Sequence, residues 1–443
     1  MTNVRFSNRI RQNGAALIII VFILAIAFTS YILKEMSAEN IRLEHQQLVT
    51  KNLNIAKKAL LAWAVANRDY PGQMPYPDRG TDAGGYDGKS DCSGSNPINN
   101  QSLLIGQLPM YGSTGCIGFS VNEGLATEVD DGYGNRLWYA VSPNLMHNYA
   151  PTGGQLSDPV INSDTMHSAT WLRVLDNNGN LVSDRVAVVI IAPGEALSNQ
   201  SRSLNATSDQ YLDTFQKNGI TYSNSNYDAP DEDFIMGAPM DKVSEDDASY
   251  TRPYLFNDQL VYITIDELMV ALEKRVARQV VASLNAYYVN SDPNPLNRYY
   301  PYAAVELING KACIENQMFG QVPLESACST PALTAPLIPT WFDENDWEKL
   351  IFYTLSSDCT FVKRGCIGSS EKLTVGSIIN VNALVISTGN AISPMQNRPS
   401  TSLSDYLDST ENINRQTSND LVFDGVGTPL TNNYNDQMFI VAP

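Results

Sequence analysis

The sequence predicts an α+β protein: one long N-terminal helix, followed by two domains that each pack a helix on an antiparallel sheet. Three observations lead to this fold class. An uncharged stretch at residues 15–33 runs into an amphipathic pattern that continues without proline or glycine to Asn67. Short aromatic and β-branched runs then alternate with turn residues, as in strands. Segments of the first half recur in the same order in the second half, which indicates an internal repeat.

The chain begins with a basic leader, residues 1–14, that carries three arginines and no acidic residue and ends at Gly14. At about 1.5 Å per residue, the uncharged stretch 15–33 approaches the roughly 30 Å of a bilayer core. It is therefore predicted to be the transmembrane part of the helix. Arginines in front of it favour a cytoplasmic N-terminus. The expected localisation is the inner membrane, with a single N-terminal span and the bulk of the chain periplasmic or extracellular.

Beyond the uncharged stretch, apolar residues recur at helical spacing, as Leu53, Ala56, Leu60 and Trp63 show. This periodicity predicts one continuous helix of roughly fifty residues. The turn sequence Tyr70-Pro71-Gly72 marks its end.

Two other interpretations of this N-terminus remain open. A plain signal anchor requires no cleavage at glycine. A secretory signal peptide cleaved after Ala27 satisfies the small-residue rule. Cleavage there leaves unexplained why the helical periodicity continues through the site.

A basic leader that ends in glycine, an apolar helix and an amphipathic continuation together resemble the N-terminus of type IV pilins and pseudopilins. The resemblance implies that a prepilin peptidase cleaves after Gly14 and leaves Ala15 as the mature N-terminus. Most members have a glutamate where this chain has Ile19, whereas minor pilins of the PilX and secretion-system K type tolerate an apolar residue there. The residues that the resemblance places in the membrane and filament core include Ala16, Leu17, Ile18, Ile19, Phe22 and Leu24.

The charge and the cysteines agree with an exported protein. Asp and Glu total 47 against 29 Lys and Arg, for a net charge of −18, which is unsuited to nucleic acid. The 6 cysteines all follow the uncharged stretch, and an even number in an exported chain favours disulfides over metal ligation. Sequence proximity favours three local pairs, although other connectivities remain open: Cys92–Cys116, Cys313–Cys328 and Cys359–Cys366.

One glycine-rich loop is a candidate calcium site. Residues 71–127 are rich in Gly, Pro, Asn, Asp and Ser, and Asp78, Asp82 and Asp87 lie close together within them. Clustered carboxylates supply the oxygen ligands that Ca²⁺ prefers. The spacing is not that of an EF-hand loop, and solvated turn residues are the alternative explanation. No other cofactor is expected.

The first predicted domain covers residues 34–264. Its strand signals are the aromatic run 137–142, a hairpin turn at Asp176-Asn177-Asn178-Gly179 and the apolar run 186–191, which is predicted to be central in the sheet. Residues 198–256 are polar and acidic and are predicted to form an excursion on the surface.

The second predicted domain covers residues 265–443 and repeats the first. Ile351–Ser356 corresponds to Leu137–Ser142, and residues 381–392 correspond to 186–197 without a gap. Tyr-Leu-Asp and Asn-Asp-Gln segments also recur in order. The helix that opens this domain starts with the capping box Thr264-Ile265-Asp266-Glu267. It is expected to match the amphipathic part of the N-terminal helix, so the resemblance implies two tandem pilin-like domains.

The sequence lacks the motifs of common hydrolases, nucleotide-binding enzymes and zinc proteases, so an enzyme is not expected. The resemblance implies a minor pilin or pseudopilin subunit of a type IV pilus or type II secretion pseudopilus, which acts by assembly. Its partners are expected to be other pilins or pseudopilins, the prepilin peptidase and the inner membrane. Ile19 and the bulk of two domains favour a position at the tip or in initiation. The alternative function is a membrane-anchored extracytoplasmic ligand-binding protein or adhesin.

Overall fold

A computed structural model describes most of the chain between residues 13 and 442. The described residues are 13–80, 85–92, 101–112, 124–125, 127–146, 159–164, 170–197, 200–203, 206–217, 219–227, 233–237, 250–251, 256–305, 307, 310–368, 371–418 and 421–442. They form an α+β fold, as the sequence predicts.

The helices are α1 (Asn13–Ala66), α2 (Ile265–Ser291), α3 (Trp341–Glu344) and α4 (Thr410–Ser418). The strands before α2 are β1 (Ile105–Gln107), β2 (Trp138–Val141), β3 (Leu172–Asp176), β4 (Leu181–Ala192), β5 (Thr214–Lys217), β6 (Ile220–Ser223), β7 (Asp233–Met236), β8 (Tyr250–Thr251) and β9 (Gln259–Thr264). The strands after α2 are β10 (Phe319–Gln321), β11 (Ile351–Leu355), β12 (Leu373–Val375), β13 (Ile378–Val381), β14 (Ala383–Ser387), β15 (Val422–Phe423) and β16 (Gln437–Ala442).

The long N-terminal helix is confirmed, but the membrane span predicted for residues 15–33 is wrong. Among the described residues, no helix has the combined length and apolar character needed to cross a membrane. A span requires about 20 consecutive, mainly apolar residues. The predicted inner-membrane localisation with a single N-terminal span is therefore also wrong.

The sheet that precedes α2 has the strand order β1-β2-β4-β3-β7, with β9 paired to β4. Strand β4 is twelve residues long, and its C-terminal half lies between β2 and β9. That half, Val186–Ala192, is buried because it is covered on both faces. The predicted central strand is thus confirmed, as is the hairpin turn between β3 and β4. We call α1 and strands β1–β9 the first unit.

The sheet that follows α2 repeats this arrangement. Its order is β10-β11-β14-β16, which matches β1-β2-β4-β9 strand for strand, and all of these pairs are antiparallel. Each half also has a hairpin, β3–β4 or β12–β13, whose first strand pairs in parallel with a later strand. These parallel pairs are β3 with β7 and β12 with β15. We call α2 and strands β10–β16 the second unit. The domain limits drawn from the sequence stay a prediction.

The two units share one core through α2. Thr264, the last residue of β9, caps α2 by accepting a hydrogen bond from the backbone N–H of Glu267 at 3.1 Å. The predicted capping box is thus confirmed in its first hydrogen bond. Helix α2 packs on β14 and β16 of its own sheet and also contacts α1, β4 and β9. Its buried side chains therefore join the apolar residues of both units in a single cluster.

Candidate assembly surface and the joint between the units

The N-terminal part of α1 presents apolar side chains to solvent. Each of the described large apolar residues in this part is between 54% and 68% exposed. They are Ile20, Val21, Phe22, Ile23, Leu24, Ile26, Phe28 and Tyr31. Because consecutive residues of a helix point in different directions, this exposure extends around the helix and is not confined to one stripe. We call residues 20–31 the exposed apolar segment.

The C-terminal part of α1 is packed against the protein. Five of its residues are at most 2% exposed, and they recur every three or four positions: Val49, Leu53, Ala56, Leu60 and Ala64. This spacing brings them onto one face, which contacts β4, β9 and α2. The same helix therefore packs on the sheet with one part and presents an exposed apolar surface with the other.

The structure places the predicted processing and packing residues on α1. Gly14 and Ala15 lie in its first turn, and Ala16–Ile19 follow in the same helix, where their side chains lie outside the described residues. Phe22 and Leu24 are described and belong to the exposed apolar segment, at 68% and 63% exposure.

Two of the three predicted disulfides are present. Cys313 is bonded to Cys328, and Cys359 to Cys366. Cys116, the predicted partner of Cys92, lies outside the described residues, so that pairing stays a prediction.

The candidate calcium ligands contact protein groups. Asp78 is buried and accepts a hydrogen bond from the Gly88 N–H at 2.6 Å, and its carboxylate lies 3.2 Å from the Arg136 guanidinium. Asp87 accepts hydrogen bonds from the backbone and side chain of Lys89. Asp82 lies outside the described residues. Within the described part of the chain, no group of three or more acidic, histidine or cysteine side chains has the geometry of a metal site.

Each unit contains the same partly buried polar cluster around an arginine. In the first unit, the Arg202 guanidinium donates to the carbonyls of Gly194 and Tyr211 and to Gln200, and it lies over the Tyr211 ring. In the second unit, Arg398 makes the same contacts with Gly389, Tyr406 and Gln396. This agreement reaches single atoms, so the internal repeat extends well beyond the strand order.

A pair of aspartates completes each cluster. Asp213 and Asp258 exchange hydrogen bonds between the backbone N–H of one and the carboxylate of the other, as Asp408 and Asp436 also do. Burial, with the neighbouring aspartate as the second cause, raises the pKa of Asp258 well above its usual range and that of Asp436 to about 7. These carboxyl groups are therefore suited to retain a proton near neutral pH.

A short segment of the first unit holds the second unit. We call residues 159–164 the bridging segment. The backbone N–H of Ile161 donates to the Asn345 side chain at 2.8 Å, and the Asn162 side chain donates to the Asn345 carbonyl at 2.7 Å. Asp164 accepts from the Ala391 N–H and forms an ion pair with Arg398 at 3.1 Å. Polar contacts thus fix the joint between the units.

Residues of the bridging segment line two cavities. The larger has a volume of about 580 Å³ and lies beside the N-terminus of α2; the smaller, of about 280 Å³, lies beside Lys349 and Tyr406. Asn162, Asp164 and Arg398 line both. Among the charged groups of the larger cavity, Arg185 pairs with Asp266, and Arg398 with Asp164.

Comparison with known proteins gives no relative. No family profile, curated protein or solved structure matches this chain.

Sequence reasoning missed the arginine clusters and the bridging segment. A signal for the clusters was present, because Gln200-Ser201-Arg202 and Gln396-Asn397-Arg398 precede the repeated Tyr-Leu-Asp segments at similar distances. No repeat marks the bridging segment, which is an irregular stretch whose contacts are made between units.

Proposed function

We propose that this chain is a minor-pilin-like or pseudopilin-like subunit of a type IV pilus or a type II secretion pseudopilus, and that it acts by assembly. The observation that carries the proposal is the exposed apolar segment at residues 20–31 of a helix whose other end is packed on its own sheet. A helix that is apolar on all sides requires a surrounding partner. Helices of neighbouring pilin or pseudopilin subunits are the partner that this geometry favours.

Burial of the exposed apolar segment supplies the driving force for assembly. Removing apolar surface from water contributes roughly 25 cal/mol per Å², or about 1.5–3 kcal/mol for a large side chain that becomes fully buried. Several such side chains on one helix are enough to offset much of the cost of ordering two subunits. The folded units stay outside this contact and remain available for other interactions.

A charge within the exposed apolar segment tests the proposal. In the native host, Phe22→Asp should strongly reduce the amount of this chain in sheared filaments, because a buried unpaired charge opposes helix packing. Ile379→Asp is the matched control, since Ile379 is 66% exposed on β13 and Phe22 is 68% exposed. Immunoblots of filament and whole-cell fractions measure the ratio. Equal incorporation of both variants and the wild type would refute assembly through this segment.

Processing by a prepilin peptidase belongs to the same proposal. Cleavage after Gly14 leaves Ala15 at the N-terminus and removes the basic leader, residues 1–14. N-terminal sequencing of the chain from its host should begin at Ala15. A start at Met1 or at Phe28 would contradict this cleavage.

Ligand binding is the second candidate, favoured by the cavity of about 580 Å³ beside α2. Its volume falls in the range of small-molecule sites. A ligand specific for this cavity should raise the unfolding temperature of the wild type but not of a Met269→Trp variant, which fills the cavity. If the Met269→Trp variant is incorporated into filaments as fully as the wild type, ligand binding in this cavity is not needed for assembly.

A further inference from the structure

The carboxyl group of Glu273, in the third turn of α2, is buried at the joint between the units. Its side chain is 3% exposed in the folded chain. One carboxyl oxygen accepts a hydrogen bond from the Ser163 hydroxyl of the bridging segment. The other accepts from the Gln437 side-chain amide of β16 at 3.0 Å. Glu273 therefore links the bridging segment of the first unit to the sheet of the second.

The charged groups that face Glu273 come from both units. Asp164 of the bridging segment repels its ionised form, and Arg398 of the loop after β14 attracts it. Strand β16 faces it with the uncharged amide of Gln437. Burial is the largest effect and raises the pKa of Glu273 to about 7. A neutral carboxylic acid suits the site, because its O–H can bond to Ser163 while its C=O accepts from Gln437.

A difference between the repeated units explains why the bridging segment lies at this place. Position 131 of the first unit corresponds to position 345 of the second. The residues that follow them, Gly132 and Asp346, both have a left-handed backbone, with φ of 78° and 56°, which supports this alignment. Asp131 attracts Arg202 electrostatically within its own unit. The second unit has Asn345 instead, and Asp164 of the bridging segment supplies the carboxylate for Arg398. The second unit is thus completed by a residue of the first.

We propose that the bridging segment is a pH-sensitive connection between the two units, closed while Glu273 is protonated and loosened when Glu273 ionises. Ionisation leaves a buried negative charge next to Asp164, so the bridging segment is the element that must move away or admit water. Because residues of this segment line both cavities, its release changes the walls of both. The proposal concerns the isolated chain and does not depend on filament assembly.

Hydrogen–deuterium exchange of the purified full chain tests the connection. We expect the protection factors of the amides in residues 160–164, normalised to their intrinsic exchange rates, to fall at least about tenfold between pH 6 and pH 8.5. In Glu273→Gln, which keeps the shape and stays neutral, protection should be the same at both pH values. Glu348→Gln is the matched control, because burial raises the pKa of Glu348 to about 7 and its ion pair is with Lys311 of the second unit. It should retain the wild-type fall.

Two further measurements keep the test decisive. The carboxyl carbon of Glu273, followed by NMR in the wild type, should titrate with a midpoint near pH 7. Asp164→Asn, which removes the charge that pairs with Arg398, should show low protection at pH 6 and pH 8.5 alike. Equal protection of the wild type at both pH values, an unchanged fall in Glu273→Gln, or a Glu273 midpoint below about pH 5 would each overturn the proposal.

Discussion

Glycine is required at two matching positions, where a strand passes close to another backbone. A Cβ at position 106 would lie 2.3 Å from the Asp78 carbonyl oxygen, and one at position 320 would lie 2.1 Å from that of Ala304. Both glycines belong to the first strand of a sheet, β1 or β10. The sequence segments Ile-Gly-Gln and Phe-Gly-Gln therefore keep glycine for a steric reason.

Gly320→Ala should lower the free energy of unfolding by about 1–3 kcal/mol or more, the usual cost of overpacking. Gly425→Ala is the control, since the nearest atom to its added Cβ is 3.6 Å away. That change should stay within about 0.5 kcal/mol. Urea unfolding followed by circular dichroism compares them. Equal stability of the two variants would contradict the close approach.

Asp436 should make the stability of the chain decrease as the pH rises. Its folded pKa of about 7 exceeds its usual value of 3.8, so between these values the folded chain holds a proton that the unfolded chain releases. Rising pH therefore favours unfolding, by about 1.4 kcal/mol per pH unit for this group. The contribution is full below pH 3.8 and is lost as the pH passes 7.

Asp436→Asn should flatten the slope of unfolding free energy between pH 5 and pH 7 by about 1 kcal/mol per pH unit. Urea titrations at several pH values give the slopes of the variant and the wild type. A slope in Asp436→Asn as steep as in the wild type would show that another group binds the proton.

At the scale of elements, the sequence predicts those helices and strands whose positions depend on neighbouring residues. The buried face of α1, the central strand β4 and the start of α2 all follow from the spacing or capping of neighbouring residues. Strands β5–β8 fall in the stretch 198–256, which the sequence predicts to be a surface excursion without assigning strands to it. These strands are only two to four residues long, which is too short for an alternating hydrophobic pattern to be recognised. The contacts of residues 159–164 depend on the partner unit and leave no local pattern.

Disulfides should connect the loops of both units. Non-reducing proteolysis should yield linked peptides for Cys313–Cys328 and Cys359–Cys366, and a third joining Cys92 to Cys116. The double substitution Cys313→Ser and Cys328→Ser removes the disulfide that closes the longer loop, with a sequence separation of 15 residues. It should lower the free energy of unfolding by about 2–4 kcal/mol. Mass spectrometry identifies the peptides, and urea unfolding gives the cost. A peptide that links Cys92 to any other cysteine would contradict the third pair.

At the scale of the whole molecule, the function proposed above predicts a rare subunit, because of its bulk and the residue at position 19. The exposed apolar segment of one helix carries the bulk of two folded units. Isoleucine at position 19 has no carboxylate that could pair with the N-terminus of a neighbouring subunit. The resemblance to minor pilins implies the same position, at the tip or in initiation. We expect this chain to be far less abundant than the major pilin in sheared filaments. Quantitative proteomics measures the ratio, and equal abundance would contradict a tip position.

The direct passage from β9 into α2 has a mechanical consequence. Thr264 ends the strand and caps the helix, so no flexible linker lies between the two sheets. If the second unit is pulled while α1 is held, the force passes through α2 into β9. The hydrogen bonds between β9 and its partner β4 are then loaded in shear. Shear loads many backbone hydrogen bonds at once, whereas peeling breaks them one after another. With α2 continuing directly from β9, we expect the connection between the two sheets to stretch little under load.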